Sequence, residues 1–195
     1  MDRIHNVDHL LQTGINMMAG SGYHHTSINE VIRQAGMPKG SFYYLYKDKK
    51  AFALDAVGHY VKDLLDNMER WFTDEAYGPL EAIKLFYEES IQSLNKVGYA
   101  HGCFLGNMGQ EMADVDEDFR VVVERGFDQI HERLTAQLMK AEQAGELAEG
   151  ANPSVIADLI INTWHGSLIR MKTTRSPQSL DVFTHSFFSM ISRNK

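Results

Sequence analysis

Residues 26–50 constrain the fold of this chain more than any other stretch, because two short helical patterns flank a tight turn. Thr26 or Ser27 can cap a helix, and the apolar residues that follow have the spacing of one helix face: Ile28, Val31, Ile32 and Ala35. Gly36 is suited to ending this helix, whereas Pro38 cannot continue it but can open the next. The pattern therefore predicts two helices joined by a glycine-containing turn.

The second of these helices is both aromatic and basic. Its rings and its surrounding lysines are Phe42, Tyr43, Tyr44 and Tyr46, with Lys39, Lys47, Lys49 and Lys50. A tight helical hairpin with a basic second helix is typical of the helix-turn-helix, which places that helix in the major groove of DNA. Such hairpins also serve packing alone in all-α proteins, so spacing and charge leave both interpretations open.

The charge of the chain is distributed unevenly. The formal net charge is −7, yet residues 1–50 carry six Lys or Arg against four Asp or Glu. The other 145 residues carry 13 basic groups against 22 acidic ones. The net charge argues against a protein that coats nucleic acid over its whole surface, and the distribution favours one that touches phosphate with one end only. Chance clustering of basic groups on a solvated face is the alternative.

The composition also limits the cellular compartment. Cys103 is the single cysteine, so no disulfide can form within the chain, and a reducing compartment is expected. The N-terminus has no apolar core of the signal-peptide type, and no run approaches the ~18 apolar residues of a membrane span. We therefore expect a cytoplasmic protein without a membrane partner.

The remaining pattern predicts an all-α protein of roughly nine helices, with an N-terminal three-helix head and a C-terminal helical bundle as the body. Helices are expected up to about residue 19 and over residues 48–72, 79–96, 103–113, 116–144, 153–171 and 177–191. Residues 1–47 are predicted to form the DNA-binding head, and 48–195 the ligand-binding and dimerisation body. The 48–72 helix would connect the two and could carry movement between them.

Residues 9–55 resemble the DNA-binding head of the TetR family of bacterial repressors. The likeness lies in Gly22-Tyr23, in Thr26-Ser27-Ile28, in the run from Ala35 to Tyr43 and in the run from Lys47 to Phe52. The chain departs from the usual family pattern at Leu45, where His or Tyr is frequent, at Tyr46, usually Phe, and at Lys50, often Glu.

Residue chemistry and this resemblance together predict a set of DNA contacts. Hydroxyls and amides at helix N-termini bind phosphate, while the first residues of a recognition helix approach base edges. The resemblance implies these roles, with palindromic double-stranded operator DNA as the partner, for Thr26, Ser27, Lys39, Gly40, Ser41, Tyr43, Tyr44 and Lys49.

The segment from Tyr99 to Glu111 resembles a distinctive part of one TetR subgroup, the NemR/AcuR-like regulators that sense reactive electrophiles. A thiol at a helix N-terminus is favoured as thiolate by the helix dipole, so Cys103 is either a reactive sensor or a small packed residue. A pocket for a small-molecule effector is expected to be lined by Trp71, Phe86, Tyr87, Tyr99, Cys103, Phe104, Asn107, Met108, Glu111, Phe127 and Trp164.

The last two predicted helices are too apolar to face water. We expect them to form a four-helix contact between two copies of the chain, through Leu168, Ile169, Phe183, Phe187, Phe188 and Ile191. A two-fold dimer would place two heads in successive major grooves.

No catalytic group, metal site or cofactor is predicted. His5 and His9 have helical spacing, but no third ligand follows at metal-site spacing, and there is no glycine-rich phosphate loop. The predicted function is a ligand-responsive, homodimeric transcriptional repressor. The alternative is a helical small-molecule-binding protein or enzyme whose head is purely structural.

Overall fold

A computed structural model describes residues 3–193, with side chains from Val7 onward, and the described chain is built of helices. They are α1 (Arg3–Ser21), α2 (Ile28–Gln34), α3 (Lys39–Leu45), α4 (Lys49–Phe72), α5 (Pro79–Lys96), α6 (Phe104–Met112), α7 (Glu117–Gln143), α8 (Pro153–Thr174), α9 (Gln178–Asp181) and α10 (Phe188–Ile191). A π-helical turn, Val182–Phe187, joins α9 to α10 without a break. The all-α prediction is confirmed.

Side-chain caps begin two of the helices at the positions that the sequence predicted. The Asp116 side chain accepts hydrogen bonds from the backbone N–H groups of Asp118 and Phe119 at 3.0 and 3.4 Å, which begins α7. The Asn152 side chain caps α8 in the same way, and Pro153 follows as its first residue. Such caps satisfy amides that have no partner within the helix, so each of these starts is sharply defined.

The final helical segment differs from the single α-helix expected over residues 177–191. In the π-helical turn the ring of Phe183 stacks on that of Phe187 at 5.7 Å and also meets Phe188 at 5.5 Å. The Thr184 hydroxyl donates to the Leu180 carbonyl, competing with the regular backbone pattern. The extra residue in the turn lets both Phe183 and Phe188 reach the core.

The described residues form two compact units. The first comprises the chain up to Asp63 together with Cys103–Gly126, and the second comprises Leu64–Gly102 and the chain from Phe127 onward. The division therefore falls within α4 and within α7, and α6 belongs to the same unit as the N-terminal helices. The predicted boundary between the DNA-binding head and the body, between residues 47 and 48, concerns function and is not tested by this division into compact units. It stays a prediction.

Close packing shapes the first unit. Gly14 on α1 leaves room for the ring of Phe52, which a Cβ there would strike. A Cβ on Gly126 would lie 2.9 Å from the side chain of Val61 on α4 and 3.1 Å from that of Leu105 on α6. These glycines allow α1 to approach α4, and α7 to approach both α4 and α6.

An aromatic cluster forms the core of the second unit. Tyr87 on α5 lies 4.9 Å, ring centre to ring centre, from both Trp164 on α8 and Phe183 in the π-helical turn. Phe86 lies next to it at 4.9 Å, and all four side chains are buried. Edge-to-face and tilted arrangements of this kind are favourable beyond the area they bury.

Among the described residues, no helix combines the length and the hydrophobicity that crossing a bilayer requires.

Candidate nucleic-acid interface and effector site

The turn between α2 and α3 is closed by its own backbone. Gly36 has φ +62°, and the Met37 N–H donates to the Ile32 carbonyl at 3.1 Å. This is the left-handed ending that glycine favours. Pro38 stands immediately before α3 as its N-cap. The predicted pair of short helices with a tight turn is therefore present.

The predicted capping of α2 by a side chain is wrong. Ser27 occupies the N-cap position but forms no side-chain cap bond. The hydroxyl of Thr26 instead donates to the Gly22 carbonyl at 2.7 Å, and Thr26 is 3% exposed. The Thr26 side chain thus stabilises the turn that leads into α2 and is not presented to solvent, whereas Ser27 is exposed.

Helix α3 presents one face to solvent and buries the other. Phe42 is fully buried, and its ring lies 5.5 Å from those of Tyr46 and Phe52. The opposite side is exposed and holds most of the predicted DNA contacts: Lys39, Gly40, Ser41, Tyr43 and Tyr44. Tyr44 is 76% exposed, so its ring and hydroxyl are accessible from solvent.

Lys49 lies further along, at the start of α4, and is only half-exposed. Its ammonium sits 4.4 Å from the centre of the Tyr23 ring and 3.4 Å from the His24 carbonyl oxygen. Partial burial lowers the pKa of Lys49, against an opposing effect of the nearby Glu111 charge. This ammonium is thus held close to the turn before α2.

Two matches to family models cover most of the chain. "Bacterial regulatory proteins, tetR family" matches residues 10–56, and "Tetracyclin repressor-like, C-terminal domain" matches residues 79–187. The chain is also 31% identical over 179 residues to the transcriptional regulator AcuR of Cereibacter sphaeroides, covering 91% of this chain and 81% of that protein.

The chain belongs to the TetR family.

Further relatives agree with that assignment. The repressor DhaR of Mycobacterium sp. strain GP1 is 25% identical, with 94% of this chain and 90% of DhaR covered. A crystal structure of the regulatory protein TetR from Rhodobacter sphaeroides superposes with a TM-score of 0.88 at 27% identity, covering 94% of this chain and 97% of that one. The reduced form of Escherichia coli NemR has the same fold, with a TM-score of 0.85 at 23% identity over 98% of both chains.

Membership decides between the two functions that the sequence left open. The chain is a DNA-binding transcriptional regulator and not an enzyme. TetR-family proteins bind operator DNA and small-molecule effectors and act as dimers, so these classes of partner apply here. The predicted regulator is confirmed, and the alternative with a structural head is not supported.

Two of the three departures from the family pattern, Tyr46 and Lys50, have partners in the first unit, whereas Leu45 ends α3 and is 38% exposed. The Tyr46 hydroxyl donates to the Asp55 carboxylate at 2.5 Å, and burial, this bond and the Asp55 charge together raise the pKa of Tyr46. The Lys50 ammonium lies 2.7 Å from a carboxylate oxygen of Asp116 and 2.8 Å from one of Asp118. Those two hydrogen bonds raise the pKa of Lys50. Both departures therefore stabilise contacts within the protomer.

The predicted effector residues divide between the two compact units, and their surroundings within each unit differ. In the first unit, Cys103 is the N-cap of α6, and the Tyr60 hydroxyl donates to its sulfur at 3.4 Å. Phe104 packs against the Tyr60 ring at 5.6 Å, and Phe104 and Met108 are buried. The prediction did not include Tyr60, which lies 43 residues away in sequence.

Two members of the set, Asn107 and Glu111, form hydrogen bonds to backbone groups of α1 and of the turn after it. The Asn107 side-chain amide donates to the Ala19 carbonyl at 3.2 Å. The Glu111 carboxylate accepts from the backbone N–H groups of Tyr23 and His24 at 2.7 and 2.9 Å. Their polar groups are thus engaged by the end of α1 and by the turn before α2.

The predicted effector residues that lie in the second unit are packed or hydrogen-bonded within that unit. Phe86, Tyr87 and Trp164 belong to the packed aromatic core, and Phe127 packs edge-on against His165 at 5.2 Å. The Trp71 indole N–H donates to Glu89 at 2.9 Å, at the surface. Tyr99 lies in the loop before α6 with φ +56°. An open cavity of about 700 Å³ in this unit is lined by α5, by the turn after α7 and by the last helical segment, and none of the predicted set is among its lining residues.

No three His, Cys, Asp or Glu side chains among the described residues are placed to hold a metal ion together. The side chain of His5 lies outside the described residues.

The Tyr60 hydroxyl is well placed to affect the chemistry of Cys103. Burial raises the pKa of Tyr60, and the charge of a Cys103 thiolate raises it further, so the phenol stays a hydrogen-bond donor. A hydrogen bond to the charged form of a group favours that form, and the thiolate is the form of cysteine that attacks electrophiles.

Tyr60→Phe is expected to slow alkylation of Cys103 by N-ethylmaleimide about fivefold at neutral pH, because a hydrogen bond of about 1 kcal/mol is removed. Mass spectrometry of quenched samples measures the rate. Tyr44→Phe removes a hydroxyl from an exposed ring and serves as the control. An unchanged or faster rate in Tyr60→Phe would contradict the assigned role of the hydroxyl.

Proposed function

We propose that this TetR-family regulator is a homodimeric repressor that binds a palindromic operator and is released by a small molecule or by modification of Cys103. The observation that carries the DNA-binding half is the exposed face of α3, where polar and aromatic side chains project from a helix whose other side is anchored by Phe42. Lys39 stands first in this helix, the position from which recognition helices reach base edges.

The roles of the individual residues follow from their positions. Lys39 and Gly40 approach base edges, while Ser27, Ser41, Tyr43, Tyr44 and Lys49 bind phosphate oxygens with their hydroxyl and ammonium groups. Thr26 contributes by shaping the turn, since its hydroxyl is bonded within the protomer. The excess of basic groups in residues 1–50 adds a salt-dependent attraction to the duplex.

Gly40 supports a close approach of DNA to α3. A Cβ at this position would meet no atom within 4 Å, so nothing inside the protomer requires glycine there. Glycine within a helix costs about 0.5–1 kcal/mol relative to alanine. The open space above Gly40 is where the edge of a base pair or a sugar-phosphate strand would lie.

Lys39→Ala and Tyr44→Phe are each expected to weaken binding to DNA from upstream of the gene by about tenfold, because each removes a hydrogen-bond donor to DNA, while the unfolding midpoint stays unchanged. Fluorescence anisotropy at several salt concentrations measures the affinity, and Lys39→Ala should also reduce the discrimination between operator and unrelated DNA, because Lys39 is assigned to base edges. Failure of the unmodified protein to bind any such DNA in a salt-sensitive, sequence-specific manner would refute the proposal.

Two controls match these changes. Lys140→Ala removes one exposed lysine from the last turn of α7, where we expect no DNA contact. Gly40→Ala is paired with Gly58→Ala, because both glycines are exposed within helices and a Cβ on either meets no atom within 4 Å. Both alanines should stabilise the fold slightly, but only the one at position 40 should reduce DNA affinity.

For the effector half of the proposal, the strongest support comes from Cys103 and Tyr60. The sulfur is partly exposed, stands at the N-terminus of α6 and accepts a hydrogen bond. An α,β-unsaturated carbonyl compound is the effector class that suits such a thiolate. The sulfur would add to the β-carbon of the double bond, and the α-carbon would then take a proton from water. Phe104, the next residue, is buried and packs against the ring of Tyr60, whose hydroxyl bonds the sulfur.

Release by any effector requires that it binds the DNA-incompetent conformation more tightly than the competent one. An adduct on Cys103 meets this requirement if the added group cannot be accommodated next to Tyr60 while α6 keeps its present position. A reversible ligand at the predicted aromatic residues of the second unit would require that cluster to open, because Phe86, Tyr87 and Trp164 are buried against one another.

Cys103→Ser is expected to bind DNA as tightly as the unmodified protein and to resist release by a limiting amount of N-ethylmaleimide, because serine offers no thiolate. Anisotropy follows the release, and intact-mass analysis counts the adducts. If the serine variant releases DNA as readily as the unmodified protein, the covalent mechanism is refuted and a reversible effector remains.

The dimer surface predicted from the last two helices needs a correction in its residues. Leu168, Phe183, Phe188 and Ile191 are buried within the protomer, and only Ile169 of the expected set is clearly exposed. The exposed face of α8 instead carries Val155, Leu159, Asn162, Gly166 and Ile169, and Val182 and Met190 are exposed on the last helical segment. We propose this surface as the contact between the two copies.

The spacing along α8 suits a packed helix pair. Its exposed residues recur at alternating intervals of four and three, the pattern of a coiled-coil seam, over about 21 Å of helix. A Cβ on Gly166 would meet no atom within 4 Å in the protomer, so glycine there is suited to the close approach of a second helix. Leu159 and Ile169, 46% and 48% exposed, lie on either side of it.

Ile169→Asp is expected to shift the protein from dimer to monomer at micromolar concentration and to reduce operator affinity, because it buries a charge in the proposed contact. Sedimentation velocity measures the state of association. Val121→Asp is a matched control, since Val121 on α7 is also 48% exposed but lies outside the surface. Equal behaviour of the two variants would refute this location of the interface.

A further inference from the structure

Glu111 connects α6 to the head through two backbone hydrogen bonds. One carboxylate oxygen accepts from the Tyr23 N–H at 2.7 Å and the other from the His24 N–H at 2.9 Å. The glutamate and the two amides are 88 and 87 residues apart in sequence but lie in the same compact unit. Hydrogen bonds to an ionised carboxylate are roughly twice as strong as those between neutral groups.

The turn that receives this carboxylate is shaped to fit it. Gly22 has φ +87°, and a Cβ there would lie 2.9 Å from a Glu111 oxygen. Glycine is therefore required both for the backbone conformation and for the approach of the carboxylate. The turn leads directly into Ser27, the N-cap of α2 and one of the proposed phosphate contacts.

Two other contacts from the same part of the chain reach the head. The Asn107 amide, one helical turn before Glu111, donates to the Ala19 carbonyl near the end of α1. The Lys50 ammonium at the start of α4 pairs with Asp116 and Asp118 around the start of α7. The helix-turn-helix is thus held where the chain enters it and where the chain leaves it.

We propose that Glu111 is a positioning residue for DNA binding, because its carboxylate fixes the backbone of the turn that leads into α2. The proposal rests on the DNA-binding function proposed above. Without this carboxylate the two amides lose their acceptor, and the turn before α2 loses its anchor.

Glu111→Ala is expected to weaken operator binding at least tenfold, since it removes both hydrogen bonds, while the head stays folded. Glu111→Gln keeps one acceptor oxygen at the same reach and should restore part of that affinity. Amide hydrogen exchange, followed by NMR, should accelerate at Tyr23 and His24 in the alanine variant and less so in the glutamine variant. Gln110→Ala, an exposed neighbour on the same helix, should leave affinity and exchange unchanged.

Normal operator affinity in Glu111→Ala would overturn the proposed role of Glu111. If Glu111→Ala does not fold, Glu111→Gln provides the test. Full operator affinity in Glu111→Gln, together with unaltered exchange at both amides, would then overturn the role.

If the proposed DNA-binding function itself is wrong, the expected results differ from those for a wrong role of Glu111. In that case Lys39→Ala and Tyr44→Phe would also leave DNA binding unchanged, because no specific DNA complex would exist. A drop in affinity in those two variants without a drop in Glu111→Ala refutes only the inference about Glu111.

Discussion

Three aromatic rings hold the recognition helix in place, and the DNA-binding surface depends on them. The rings of Phe42, Tyr46 and Phe52 lie 5.2–5.5 Å apart, with Phe42 and Phe52 completely buried. Helix α3 has seven residues, far fewer than an isolated helix needs to persist in water. Burial of Phe42 therefore fixes which side of α3 faces solvent, and it leaves Tyr43 and Tyr44 exposed on the other side.

The departures from the family pattern fit this scheme. Tyr46 adds a hydroxyl to a ring of the cluster and directs it to Asp55, so the extra polar atom is satisfied at the edge of the core. Lys50 replaces an often acidic residue and meets two aspartates near the start of α7. Neither of these two changes alters the exposed face of α3; they change contacts that hold the head together. The third departure, Leu45, is the last residue of α3 and is 38% exposed, so it places an apolar side chain on that helix where the family pattern frequently has His or Tyr.

Local signals allowed much of the helical structure to be predicted, whereas long-range partners could not be. Pro79, Asp116 and Asn152 mark helix starts by their own chemistry. The partners of Glu111 carry no such signal, because a carboxylate on an otherwise apolar helix suits a ligand pocket as well as two distant amides. Apolar periodicity likewise cannot distinguish a protomer's own core from its dimer contact. Phe183 and Ile169 therefore received the same prediction although one is buried and the other exposed.

Some residues have no structural reason within the protomer to be glycine, and these residues help to locate the proposed contacts with partners. Gly40 and Gly166 lie within helices with open space above them, and each costs the protomer stability relative to alanine. Gly58 has the same surroundings, so an open glycine alone does not mark a contact. Gly40 has the exposed Tyr44 one turn further along α3, and Gly166 has Ile169 on the same side of α8, whereas α4 carries no large exposed apolar residue near Gly58. The coincidence of an open glycine with an exposed large side chain supports the proposals that α3 contacts DNA and that α8 contacts the second copy.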